Sequence, residues 1–160
     1  MALTLHKKSW YPFVFLLSIG VVAACWHRFL PDHRPELLLS GIGTVAAFTY
    51  FLYRQHLDET KLFKELFAEF NARYDSLNDD LNKILLGPTE GELSPVEQKS
   101  VFRYFNLCGE EFFFYRAGYI DRSVWESWHR GMMVFFTHKR IRALWDRDCK
   151  SDSYYGFHPD

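Results

Sequence analysis

The chain has 160 residues; aromatics make up 19 % of them, and 19 Lys plus Arg nearly balance 20 Asp plus Glu. That balance excludes a histone-like or ribosomal-type protein, which needs a positive field to hold phosphate. The 48 % hydrophobic content excludes a disordered acidic tail.

The N-terminal part, residues 1–53, reads as a transmembrane helical hairpin. Its first apolar run covers about 10–30 and is uncharged from Ser9 to Trp26; the second covers 37–53 without a charge. A spanning helix needs roughly 20 apolar residues, with about 17 as a lower limit, so both runs are short but adequate. Trp10, Tyr11, Trp26, Phe29, Tyr50 and Tyr53 stand at the ends of the runs, where amphipathic rings prefer the headgroup zone. Pro31 and Pro35 break the helix between them. A cleaved signal peptide ending near Ala23-Ala24-Cys25 and a pair of buried core helices are the alternative readings of these runs.

Lys7, Lys8, Arg54, Lys61 and Lys64 flank the terminal side of the hairpin, against Arg28 and Arg34 on the loop side. The positive-inside bias puts both termini in the cytoplasm. Small residues recur at four-residue spacing: Gly20 with Ala24, Ser40 with Thr44, Gly43 with Ala47. Such faces let helices approach closely in lipid, either within the hairpin or between subunits of a homo-oligomer.

Residues 54–150 read as a cytoplasmic all-α domain of about four helices. No Gly or Pro occurs between Arg54 and Leu86, and Phe63, Phe67, Phe70, Tyr74, Leu77, Leu81 and Ile84 follow heptad steps. The second span is expected to run straight into this helix, which Gly87-Pro88 ends. Ser94-Pro95-Val96-Glu97 reads as a capping box opening a helix with Val101, Phe105, Cys108, Phe112 and Tyr115 inward, ending at Gly118. Asp121 or Ser123 caps the next, with Val124, Trp125, Trp128, Met132, Phe135 and Phe136 inward. Thr137 is expected to cap a last short helix bearing Ile141, Leu144 and Trp145, and residues 151–160 read as an irregular tail. Cys25, Cys108 and Cys149 have no paired spacing, which argues against a disulfide framework or a cysteine zinc site.

Charge is uneven along this domain. Residues 54–98 hold five bases and ten acids; residues 122–150 hold seven bases and three acids. One reading is that the basic helices pack beside the acidic helix. The other is that Lys139, Arg140, Arg142, Arg147 and Lys150 form a docking patch for nucleic acid or a nucleoprotein. Aromatics fill 12 of the 36 positions from Val101 to Phe136, and Phe112-Phe113-Phe114-Tyr115 puts rings on every side of one helix. Phe113 and Phe114 are the candidates for a side that a partner covers.

No phosphate loop, HExxH or GxSxG occurs, and neither a cofactor nor a metal is expected. His27 and His33 read as solvated. Arg122 and His129 stand seven positions apart on one helix face, a spacing that resembles the Arg/His signature of HEPN ribonucleases. There a dimer gathers two Arg and two His around a scissile phosphate. The bland alternative is a solvated Arg122 and a packed His129.

The stretches Val101–Asn106 on to Glu111, Tyr115–Asp121, Val124-Trp125, Phe136–His138 with Ile141-Arg142 and Trp145, together with the hairpin, resemble small bacterial two-transmembrane anti-phage effectors encoded beside certain retrons. The similarity is looser to the small membrane accessory protein of some RNA-targeting CRISPR loci. The resemblance implies a toxin held inactive by a partner complex, a reverse transcriptase with its attached msDNA or a similar nucleoprotein, and damaging the inner membrane on release. The reading is a non-enzymatic membrane effector acting on the lipid bilayer. The alternatives are a membrane-tethered HEPN-like ribonuclease and a membrane scaffold or sensor recruiting a nucleoprotein.

Overall fold

The first apolar run forms helix α1, Trp10–Phe29, and the second opens helix α2, Pro35–Leu86. These belong to a computed structural model that describes residues 10–29, 34–148 and 153–159. Lys7, Lys8, residues 30–33, Cys149, Lys150 and the first residues of the tail lie outside the described residues. The remaining helices are α3 (Pro95–Arg116), α4 (Arg122–Phe136) and α5 (Lys139–Asp148), and no strand occurs among the described residues. The chain divides into two units, one reaching Lys61 and the other starting at Leu62. Helix α2 belongs to both, with no interruption over 52 residues.

Both α1 and α2 contain a stretch long and apolar enough to cross a membrane. No residue of α1 is buried, and Phe13, Leu17, Phe48 and Phe51 are exposed. The hairpin is therefore not a pair of buried core helices. Exposed apolar surface on this scale suits hydrocarbon and is unfavourable in water. The indole of Trp26 donates to the carbonyl of Arg34 at 3.0 Å, tying the end of α1 to the approach to α2.

The small residues pack differently from their spacing. A Cβ on Gly20 or Gly43 would meet nothing within 4 Å, whereas one on Gly41 would stand 2.8 Å from Val22 Cγ1. Of these glycines, Gly41 is thus the one whose missing side chain leaves room for a residue of α1. Gly20, Ala24, Ser40, Gly43, Thr44 and Ala47 are all exposed. The Thr44 hydroxyl donates to the Ser40 carbonyl one turn back, at 2.9 Å.

In the second unit α3 is the central helix. It buries Val101, Tyr104, Phe105, Leu107, Cys108 and Glu111, more than one helix face holds. Helices α2, α4 and α5 and residues 153–159 surround it. From α2 come Leu66, Phe70, Leu77, Leu81 and Ile84. Phe63 and Tyr74 are half-buried and Phe67 is exposed, so Leu66 enters where the heptad pattern places Phe67. Phe67 instead stacks on Trp128 at the margin, with centroids 5.6 Å apart.

The caps follow local chemistry. The Ser94 hydroxyl accepts from the Glu97 N–H, and the Glu97 carboxylate accepts from the Ser94 N–H at 2.7 Å. Gly118 takes φ +84° past the end of α3; the Tyr119 N–H returns to Phe114 O and the Gly118 N–H to Tyr115 O. Asp121 caps α4. Thr137 ends α4 rather than starting α5: its N–H bonds to Met133 O and Phe135 O, which makes it a C-cap.

The segment 153–159 is irregular in backbone but forms part of the core. Tyr154 and Phe157 are 5 % and 1 % exposed. Phe157 meets Phe112, Trp125, Phe136 and Trp145 within 6.2 Å. Gly109 allows the approach, since a Cβ there would stand 3.2 Å from Tyr154 Cβ and O.

Candidate functional site

The four-ring run of α3 divides its faces among neighbours. Tyr115 stacks on Trp125 of α4 at 5.1 Å, and Phe112 lies between Trp125 and Phe157. Phe114 meets Phe70 of α2 at 5.7 Å and Tyr119 at 6.0 Å. Phe113 is left 49 % exposed, touching Phe114 and the exposed Tyr155. Of the two candidates, Phe113 is the ring at the surface and Phe114 is half-buried.

The expected basic patch requires a correction. Arg140 is buried, with its side chain 7 % exposed. Its guanidinium donates to Pro88 O, to Glu92 O at 3.0 Å and to Glu97 Oε2 at 3.0 Å. A cation accepted by two carbonyls and a carboxylate is a structural clamp on the α2–α3 connection, not a docking group. Lys139 pairs with Glu90 at 3.3 Å, Arg142 with Asp146 at 3.0 Å, and Arg147 contacts Gln98 at 3.4 Å. Lys139 and Arg147 are exposed and Arg142 is partly so. The basic end thus packs on acids of the α2–α3 connection and the start of α3, not on the acidic length of α2.

The Arg122 guanidinium is exposed and paired with Glu126 at 2.7 Å. His129 is half-buried, 5.5 Å from Trp125 and 6.4 Å from Phe157 between ring centroids. Within one chain, Arg122 has an acid partner and His129 has aromatic ones.

One buried polar cluster was hidden in the sequence. Arg73 of α2 pairs with Glu110 of α3 through both oxygens, at 2.5 and 3.0 Å. Beside this pair Glu111 is 6 % exposed. Burial pushes its carboxyl up to about 8, against the pull of Arg73 and with the help of Glu110. Burial likewise raises the Cys108 thiol, with Glu111 adding to it, and raises the Tyr104 phenol. Near neutral pH this cluster holds a carboxylic acid and a thiol, not a nucleophile. His138 is the second hidden group: it is 9 % exposed, neither ring nitrogen has a hydrogen-bond partner among the described residues, and burial followed by Arg140 lowers its pKa. Both stand in stretches that carry the resemblance, but neither belongs to a catalytic or metal-binding motif; a polar residue interrupting an apolar face is the local signal of their burial.

No group of three or more His, Cys, Asp or Glu able to hold a metal ion occurs among the described residues. Comparison of the chain with protein-family models, curated proteins and solved structures finds no match.

Proposed function

We propose that the chain is a non-enzymatic, membrane-embedded effector of anti-phage defence, in which the hairpin acts on the inner membrane and the helical unit receives a restraining partner. The observation that carries this reading is α2 itself. Its first part is exposed and apolar, while its last part contributes Leu66 to Ile84 to the core, without a break between. An uninterrupted helix transmits a change at one end to the other, because bending it costs backbone hydrogen bonds. The five-to-two excess of positive flanking residues supports cytoplasmic termini.

The partner proposed is a reverse transcriptase with attached msDNA or a similar nucleoprotein. Phe113 with Tyr155 offers it aromatic area, and Lys139 and Arg147 offer exposed cations. Phe113 and these cations are proposed as parts of the restraint, not of a reaction. The test is expression of the chain alone in a bacterium while membrane potential is followed with a dye. Collapse of the potential together with growth arrest is expected. Normal growth and unchanged potential at high expression overturn the reading.

A further inference from the structure

Helices α1 and α2 meet twice in one antiparallel register. Toward one end Gly41 lies against Val22. At the other, the Tyr11 ring meets Tyr53 edge-on at 5.9 Å and His56 at 6.2 Å. This register sets Trp26 level with Leu37, and Trp10 level with Tyr53 or Arg54. The apolar slab therefore has two flat borders. At one, His27 and Arg28 stand level with Glu36. At the other, the amphipathic rings of Trp10 and Tyr11 stand level with Tyr53 and Arg54.

Between the borders each helix offers 17 uncharged residues, Trp10 to Trp26 and Leu37 to Tyr53. At 1.5 Å per residue the slab is about 25 Å thick, and any tilt of the helices makes it thinner. The hydrocarbon of a typical bilayer is about 30 Å thick, so the hairpin falls short by about 5 Å. Neither border has slack to make up the difference. Arg54 already turns its guanidinium toward Asp58, at 3.9 Å, away from the apolar stretch. Sinking that border by one turn would carry Gln55, His56 and Asp58 into hydrocarbon as well. At the opposite border Glu36 has too short a side chain to reach out from the core. The bond from the Trp26 indole to Arg34 O, at 3.0 Å, holds the two helices in step there. With a hairpin of fixed length, the lipid is the component that adjusts.

We propose that the hairpin selects phospholipids with short acyl chains and thins a bilayer of ordinary thickness around itself. The inference rests on the reading of α1 and the first part of α2 as membrane spans. It gives that reading a physical means of weakening the barrier, because the hydrocarbon is shallowest where the protein sits.

The full chain, reconstituted into vesicles mixed from dimyristoleoyl and dierucoyl phosphatidylcholine, tests this, with one lipid at a time carrying brominated chains. Flotation and an alkaline carbonate wash check insertion, and circular dichroism checks helicity. Trp10 and Trp26 border the slab, while Trp125, Trp128 and Trp145 lie in the helical unit and give a constant background. Quenching by each brominated lipid then gives the relative binding of the two beside the hairpin. A preference of about threefold for the shorter chain is expected. Arg54→Leu, Gln55→Leu and His56→Leu combined carry the α2 stretch on to Leu57 and move the preference toward the longer chain. Arg54→Lys leaves it unchanged. Equal quenching by both lipids, or a preference for the longer chain in the unaltered protein, overturns the proposal; energy transfer between labelled chains that rises with acyl length then assigns the mismatch to self-association. A chain that does not float, or that carbonate strips from the vesicles, overturns the membrane reading itself.

Discussion

Arg140, in the first turn of α5, donates to the Glu97 carboxylate, in the first turn of α3, at 3.0 Å. The same Glu97 completes the capping box with Ser94, and the Ser94 N–H is the first cause of its lowered pKa. One carboxylate therefore starts one helix and anchors another. Arg140→Met would remove the guanidinium donor from the carbonyls of Pro88 and Glu92 and leave Glu97, of its two donors named here, with the Ser94 N–H alone. The expected loss is about 3 kcal/mol, read from urea unfolding followed by circular dichroism. Arg142→Met, which breaks a pair within α5, should stay within about 0.5 kcal/mol.

The buried Glu111 gives stability a pH dependence of definite sign. Its carboxyl ionises near 4.5 when unfolded and near 8 when folded. The folded chain binds the extra proton between those values, so the contribution is complete below about 4.5 and is lost as pH rises to about 8. The slope reaches about 1.4 kcal/mol per pH unit at most. His138 acts in the opposite sense: its folded pKa is lowered, so its contribution is lost as pH falls below the usual 6.5. The interval from pH 7 to 8 isolates the carboxyl. Glu111→Gln should flatten the unfolding midpoint there, and an unchanged slope would remove Glu111 from the account.

Phe113 and Phe114 should separate binding from folding. Phe113→Asp removes a half-exposed ring and should leave the unfolding midpoint within about 1 kcal/mol. It should weaken capture of the restraining complex by about 2 kcal/mol, roughly thirtyfold. Phe114→Asp places a carboxylate against Phe70 and should cost about 2 kcal/mol or more in stability. Titration of both variants with the complex, beside their unfolding curves, distinguishes the two effects.

His129→Ala should leave toxicity on expression intact, with stability reduced through lost contacts to Trp125 and Phe157. Loss of toxicity in a variant that still folds, and that His129→Gln fails to restore, would return the ribonuclease reading to first place.

Periodicity and cap chemistry made the helices readable. The two apolar runs, the Ser94–Glu97 box and the inward faces of α4 and α5 all depend on neighbours within a turn or two, which sequence spacing records. The aromatic run of α3 points to a partner over the side of Phe113 and Phe114, whereas the chain's own Phe70 already meets Phe114. Arg140 was not readable in this way, because its acceptors come from Pro88, Glu92 and Glu97, more than 40 positions away. In composition it looks like any other cation of a basic helix. Gly41 was hidden by Gly43, since rotation of α2 about its axis, and not spacing, selects which glycine meets Val22. The segment from Tyr154 to Phe157 carries no period, so nothing local marks its rings as core.

The position of Phe157 imposes an order on synthesis. A ribosome releases α1 and the apolar start of α2 well before α3 exists. The Leu66–Ile84 face of α2 then waits, uncovered, until α3, α4 and α5 emerge, and the last ring of the core follows them. The domain therefore closes only around an α2 whose apolar start has already been synthesised, and under the proposed function that start reaches the membrane while the rest of the chain is still unfolded.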